Sequence, residues 1–258
     1  MRQLRQFGYS LVILAVAAAT ITACSDGTAP ATDDVTDTSL ATDLAASAGD
    51  AIATDVSDMV DNEQFSSASA DLAMDATASG NDNLTRSRTR TCYDAGGNVV
   101  TCGEGLTASA LVEVRVDGSR SGDHFTAVVH RQLRDSVSGI GSESTSRTHN
   151  GYGAGQDTAT YTHDLTTRVA AIAASDTVLD LVFNLPHANN PWPVSGQVIR
   201  NVDATFTVTR GATRTRNIAR RVVVTFPADA QGNVPIELGT LSCTLNLVTH
   251  EVTGCTGS

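Results

Sequence analysis

The chain has 258 residues and carries 17 basic against 28 acidic side chains, a formal net charge of -11. Hydrophobic residues make up 41% and aromatics 4%, and every basic residue is an arginine. These figures exclude a multi-span membrane protein, a collagen-like chain and a basic nucleic-acid-binding domain; at about 150 residues per domain they leave room for one or two domains.

The first residues read as an export signal. Arg2 and Arg5 supply a positive start, Leu11 to Ala19 form a short apolar run, and Ile21-Thr22-Ala23 leads into Cys24. The run is too short for a stable transmembrane helix. The four residues Ile21-Thr22-Ala23-Cys24 resemble the lipobox of bacterial lipoproteins: aliphatic, small, small, cysteine. The resemblance covers only this N-terminal segment. It implies cleavage after residue 23, acylation of Cys24 and attachment to the membrane through that lipid. Several long acyl chains at about 0.8 kcal/mol per buried CH₂ anchor stably where one does not. Ser25 follows the cysteine where an aspartate would mark inner-membrane retention, so the resemblance implies the cell envelope, at the outer membrane of a Gram-negative bacterium.

Charge then divides the mature chain. Residues 24–80 hold twelve acidic side chains and no basic one, whereas residues 81–258 hold sixteen acidic and fifteen arginine side chains. Low hydrophobicity with one sign of charge cannot offset the entropy of ordering, so 24–80 reads as a largely disordered acidic stalk. Within it Leu40, Leu44, Ala48, Ile52, Val56, Met59 and Val60 recur at spacings of three or four, which predicts one short helix over 40–61. Alone it would be marginal; it is expected to dock on the following domain if it forms at all.

Four cysteines remain: Cys92, Cys102, Cys243 and Cys255. Cys92 and Cys102 are equidistant from Gly97 in the turn-forming Asp94-Ala95-Gly96-Gly97-Asn98, and Cys243 and Cys255 from Thr249. Hairpins closed at these midpoints would oppose the two thiols of each pair within disulfide range. The spacings predict Cys92–Cys102 and Cys243–Cys255 rather than zinc, because neither pair has the usual C-x₂₋₄-C ligand spacing.

Between the cysteines, alternation dominates. Ala110, Val112, Val114 and Val116 share one parity against Glu113, Arg115 and Asp117; Val198, Val202, Ala204, Phe206 and Val208 share another, as do Ile218, Val222, Val224 and Phe226. Period two with Thr and Val enrichment predicts half-buried antiparallel strands. Turns are predicted at 117–122, 139–141, 150–155, 210–212 and 230–233, while 169–174 fits a helix or a strand. The expected fold of 81–258 is all-β: an antiparallel meander of eight to ten strands forming a sandwich, barrel or curved sheet.

No nucleophile elbow, zinc-protease helix or phosphate-binding glycine loop is present, and no cofactor is implied. Three weaker features remain. His130 and His149 would face each other if a hairpin turned at Ile140, with His163 on the next strand, a weak candidate for metal binding. Arg210, Arg214, Arg216, Arg220 and Arg221 cluster with no acidic residue from 204 to 228, a candidate anion-binding stripe. Trp192, between Pro191 and Pro193, is a candidate ligand contact. The functional expectation is a membrane-anchored envelope lipoprotein with a non-enzymatic binding or structural β-domain, meeting a protein, glycan or lipid partner and no nucleic acid. Its rivals are a carrier of an apolar ligand or lipid and an envelope hydrolase working through residues such as His163 and Asp164.

Overall fold

The computed structural model describes residues 37–62, 83–103, 105–122, 125–163, 166–187 and 190–257. The expected signal segment, Cys24 and the parts 24–36 and 63–80 of the expected stalk lie outside them. Among the described residues one helix, α1 (Asp37–Asn62), precedes eleven strands. These are β1 (Asn83–Tyr93), β2 (Val99–Val100), β3 (Ser109–Gly122), β4 (Phe125–Ser138), β5 (Ser146–His163), β6 (Thr166–Asn184), β7 (Ser195–Arg210), β8 (Ala212–Thr225), β9 (Asn233–Leu238), β10 (Leu241–Asn246) and β11 (Val252–Thr256).

All strands join one antiparallel sheet in the order β11-β10-β9-β8-β7-β6-β5-β4-β3-β1-β2. The meander is the one read from the alternation, and of the three expected closures it is the open curved sheet. Each strand pairs with its sequence neighbour except at one edge, where β1 lies between β2 and β3. The apolar parities identified in the sequence point to one face: Ala110, Val112 and Val114 on β3, Val198, Val202 and Ala204 on β7, Val222 and Val224 on β8 are all buried.

Helix α1 covers that face. Leu44, Ala45, Ala48, Ile52, Val56 and Met59 are at most 3% exposed and belong to the same core cluster as the strands. Ala51, Ile52 and Ala53 are all buried although consecutive helical residues point about 100° apart. The sheet therefore envelops the helix over about 200° of its circumference, which a flat sheet cannot do. Distances agree. Gly49 packs on Val252 of β11 and Asp58 pairs with Arg86 of β1. These strands are nine spacings apart, about 43 Å if flat, while residues 49 and 58 are only about 13 Å apart along the helix. The sheet curls around α1. Residues of α1 and of the strands belong to one core cluster: a helix from the acidic segment is the layer that closes the core.

Two turn expectations shift. The stretch 117–122 continues β3, where Thr126 and Phe125 of β4 lie opposite Ser121 and Gly122. The glycine-rich stretch 150–155 is the middle of β5. There the glycines serve close approach of backbones: a Cβ on Gly151 would lie 2.6 Å from the Arg134 carbonyl oxygen, and one on Gly153 3.0 Å from that of Gln132. The ambiguous 169–174 is strand, inside the 19-residue β6.

Candidate functional site

Inward positions on a strand are normally apolar, yet several here are charged. Arg200 lies between Val198 and Val202 on β7, Asp176 between Ala174 and Val178 on β6, and Arg131 between Val129 and Leu133 on β4. Burying single charges is costly, so each is paired. Arg200 Nη1 donates to both Asp176 carboxylate oxygens at 2.8 and 2.7 Å, with both residues buried. Arg131 Nε donates to Asp157 Oδ2 of β5 at 3.0 Å. On the sheet edge, Arg86 Nη2 donates to Asp58 of α1 at 2.5 Å. Asp50 of α1 sits 3.0 Å from His250 Nδ1 in the loop before β11.

Of these groups Asp50, Asp58, Arg86, Arg131, Asp176 and Arg200 line a cavity of about 240 Å³ between α1 and the sheet. The helix side presents Asp50, Thr54, Asp55 and Asp58; the sheet side adds Leu84, Val114, Val116 and Val129. Of the carboxylates lining it, Asp50, Asp58 and Asp176 each have a charged or imidazole partner. Asp55 has neither an ion pair nor a hydrogen bond among the described residues. Burial first, then repulsion from Asp176, pushes its carboxyl up to about 7, against the pull of Arg200 and Arg131. None of these charged groups stood out in the sequence as a site residue. The available signal was a charge on the apolar parity of a strand.

The residues that did stand out in the sequence are mostly separated by the register. His149 pairs opposite Val137, so the β4–β5 hairpin is centred at residue 143 rather than at Ile140. His130 lies opposite Gln156, seven residues or about 24 Å further along β4. The two imidazoles also point to opposite faces. His130 is exposed with Nδ1 2.9 Å from Asp117. His149 is fully buried with Nδ1 2.6 Å from Asp135 and its ring edge-on to Phe183. They do not form a shared metal site, and among the described residues no group of three His, Cys, Asp or Glu side chains could hold a metal ion. His163 ends β5, and Asp164 lies outside the described residues.

The arginine stripe divides. Register places Arg210, Arg214, Arg216 and Arg220 level with Ala212, Val208, Phe206 and Val202, on the inner face beyond the helix. Arg221 is opposite Asn201, on the outer face. All five are exposed. From β6, Arg168 extends over the Phe206 ring at 5.1 Å, so a cationic end of the inner face continues across three strands.

Both cysteine pairs are at bonding distance as the spacing predicts: Cys92–Cys102 at 2.03 Å and Cys243–Cys255 at 2.05 Å. The hairpin geometry differs in detail. Cys92 is paired with Val100, two residues short of Cys102, and Cys243 faces a β-bulge. Asp94 closes the first turn by accepting from the Gly96 and Asn98 amides. Asp229, in the turn before β9, accepts from Gln231 and Asn233 in the same pattern. Hydrogen bonds from the paired asparagine, chiefly, hold both carboxyls below the usual range. Trp192 is partly buried, its indole against Gly232 of that second turn, where an added Cβ would meet it at 3.2 Å. This tryptophan packs the end of the core.

No protein-family model matches the chain, and no curated protein or solved structure matches it either.

Proposed function

We propose that the chain is an exported lipoprotein, anchored through an acylated Cys24, whose domain is a non-enzymatic module that binds phosphate-bearing lipid headgroups at the membrane face. The observation that carries this reading is the shared inner-face placement of Arg210, Arg214, Arg216 and Arg220 on the exposed β7–β8 hairpin, beside Arg168. Guanidinium forks match phosphate oxygens in geometry and charge, and no carboxylate interrupts the sequence from 204 to 228. An acyl-chain carrier would need the concave face, but α1 covers it with Leu44, Ile52, Val56 and Met59 and leaves a cavity of about 240 Å³, too small for a long acyl chain. A hydrolase built on the Asp135–His149 pair would need substrate access, and both side chains are sealed in the core at 2% and 0% exposure.

The test is flotation of the unlipidated Cys24→Ser chain with phosphatidylcholine vesicles, with or without phosphatidylglycerol. Binding is expected only with the anionic lipid, is expected to weaken with added salt, and is expected to be lost in Arg214→Glu/Arg216→Glu. Equal binding to neutral vesicles, or none to either, would overturn the reading. Loss of radiolabelled palmitate incorporation in Cys24→Ala tests the anchor separately.

A further inference from the structure

We propose that the cavity between α1 and the sheet is a binding site for a small aliphatic amine, its ammonium against Asp55 and its hydrocarbon against Leu84, Val114, Val116 and Val129. This site is separate from the arginine end and does not depend on the headgroup reading.

The balance of charge selects the sign of the ligand. Arg86, Arg131 and Arg200 are matched by Asp58, Asp157 and Asp176, so these three pairs are neutral as units. Asp50 has His250. The remaining group is the Asp55 carboxylate, which faces the cavity with no donor on it among the described residues. An anion would add repulsion to an unmatched carboxylate, whereas one ammonium completes the set. The wall opposite selects the rest of the ligand. Hard divalent cations require six or more oxygen ligands, but the sheet side offers leucine and valine together with Gln132 and with Arg86, Arg131 and Arg200, whose guanidinium groups repel a metal ion, and its one carboxylate, Asp176, is held by Arg200. A volume of about 240 Å³ equals about eight waters at ~30 Å³ each, room for an ammonium with a chain of several carbons. Without such a ligand the carboxylate is left to take up a proton, consistent with its raised pKa.

The charged groups around Asp55 are Asp50 and Asp58 on α1, Arg86 on β1, Arg131 on β4, Asp176 on β6 and Arg200 on β7, and Asp157 of β5 stands behind Arg131 as its partner. Burial raises the Asp55 carboxyl to about 7, so amine binding is linked to its proton.

The experiment is calorimetric titration of n-butylammonium into the full chain at pH 5 and pH 8, with n-butanol as the uncharged control. Butylammonium is expected to bind at pH 8 at least about tenfold more tightly than at pH 5, because near pH 5 the acceptor is protonated. Butanol is expected to bind at least about tenfold more weakly than the amine at pH 8, since it brings no charge to the carboxylate. Asp55→Asn is expected to abolish the difference between amine and alcohol. Should that variant fail to fold, nuclear Overhauser contacts from butylammonium methylenes to Val114 and Val129 methyls in the unsubstituted chain decide the same question. No binding of the amine at pH 8, equal affinity for amine and alcohol, pH-independent binding, or contacts elsewhere would overturn the assignment.

Discussion

Replacing Asp55 by asparagine isolates the electrostatic cost at the helix–sheet interface. The folded carboxyl titrates at about 7, against an ordinary value of 3.8, a difference of about three units. A group with a raised folded pKa binds more protons in the native state, so its contribution to stability is fully present below about pH 4 and is lost as pH rises to about 7. At about 1.4 kcal/mol per unit the full loss is about 4 kcal/mol; allowing for solvent at the open side of the cavity, about 2–4 kcal/mol is the working range. Asparagine keeps the shape and cannot ionise. Urea unfolding of both proteins across pH 4 to 8.5 should therefore give equal stability at pH 4 and an asparagine variant more stable by about 2–4 kcal/mol at pH 8.5. The difference between the two curves cancels the opposite pH dependence of Asp94 and Asp229, whose lowered pKa values stabilise at high pH and lose that contribution in acid. A variant that is less stable at pH 8.5, or a difference that does not change with pH, would show that the ionised carboxylate is satisfied in the fold and would refute the reasoning.

Further outcomes follow from the enveloped helix and the two cysteine pairs. Ile52→Ala, at a fully buried position, is expected to cost about 2–5 kcal/mol in denaturant unfolding. Gly49→Ala would gain up to about 1 kcal/mol of helix propensity on an exposed helix, but here its Cβ would lie 2.5 Å from Val252 Cγ2. It is expected to be destabilising overall by about 1–3 kcal/mol in the same assay; a gain in stability would mean that β11 yields freely. Opening Cys92–Cys102 or Cys243–Cys255 by paired serine substitution is expected to cost about 2–3 kcal/mol each, since each closes a short loop. Calorimetric melting with and without reductant checks the sum.

Much of the architecture was legible in the chain because the strand code is local. Alternation at 110–116, 198–208 and 218–226 settled which side chains go inward, and cysteines spaced evenly about Gly97 and Thr249 settled two staples, since side-chain direction and turn chemistry depend on near neighbours. The same locality explains the misplaced turns. Glycines at 151, 153 and 155 look like a loop until the neighbouring strands β4 and β6 press against them, and a hairpin centred at 143 instead of 140 moves His149 from beside His130 into the core.

What the sequence could not decide is what covers the sheet. An acidic, alanine-rich segment with apolar residues every three or four positions carries the same pattern whether it stands apart or is enclosed. Its role as the core layer depends on residues far away in the chain: Arg86, which takes Asp58, and Ile236, Leu245 and Val252, which close on Gly49. Period, turn and cysteine spacing are properties of short stretches, and the sequence by itself determined those. The curl of the sheet, the enclosure of α1 and the unmatched carboxylate of Asp55 arise from contacts between distant strands, and only the tertiary structure could bring them together.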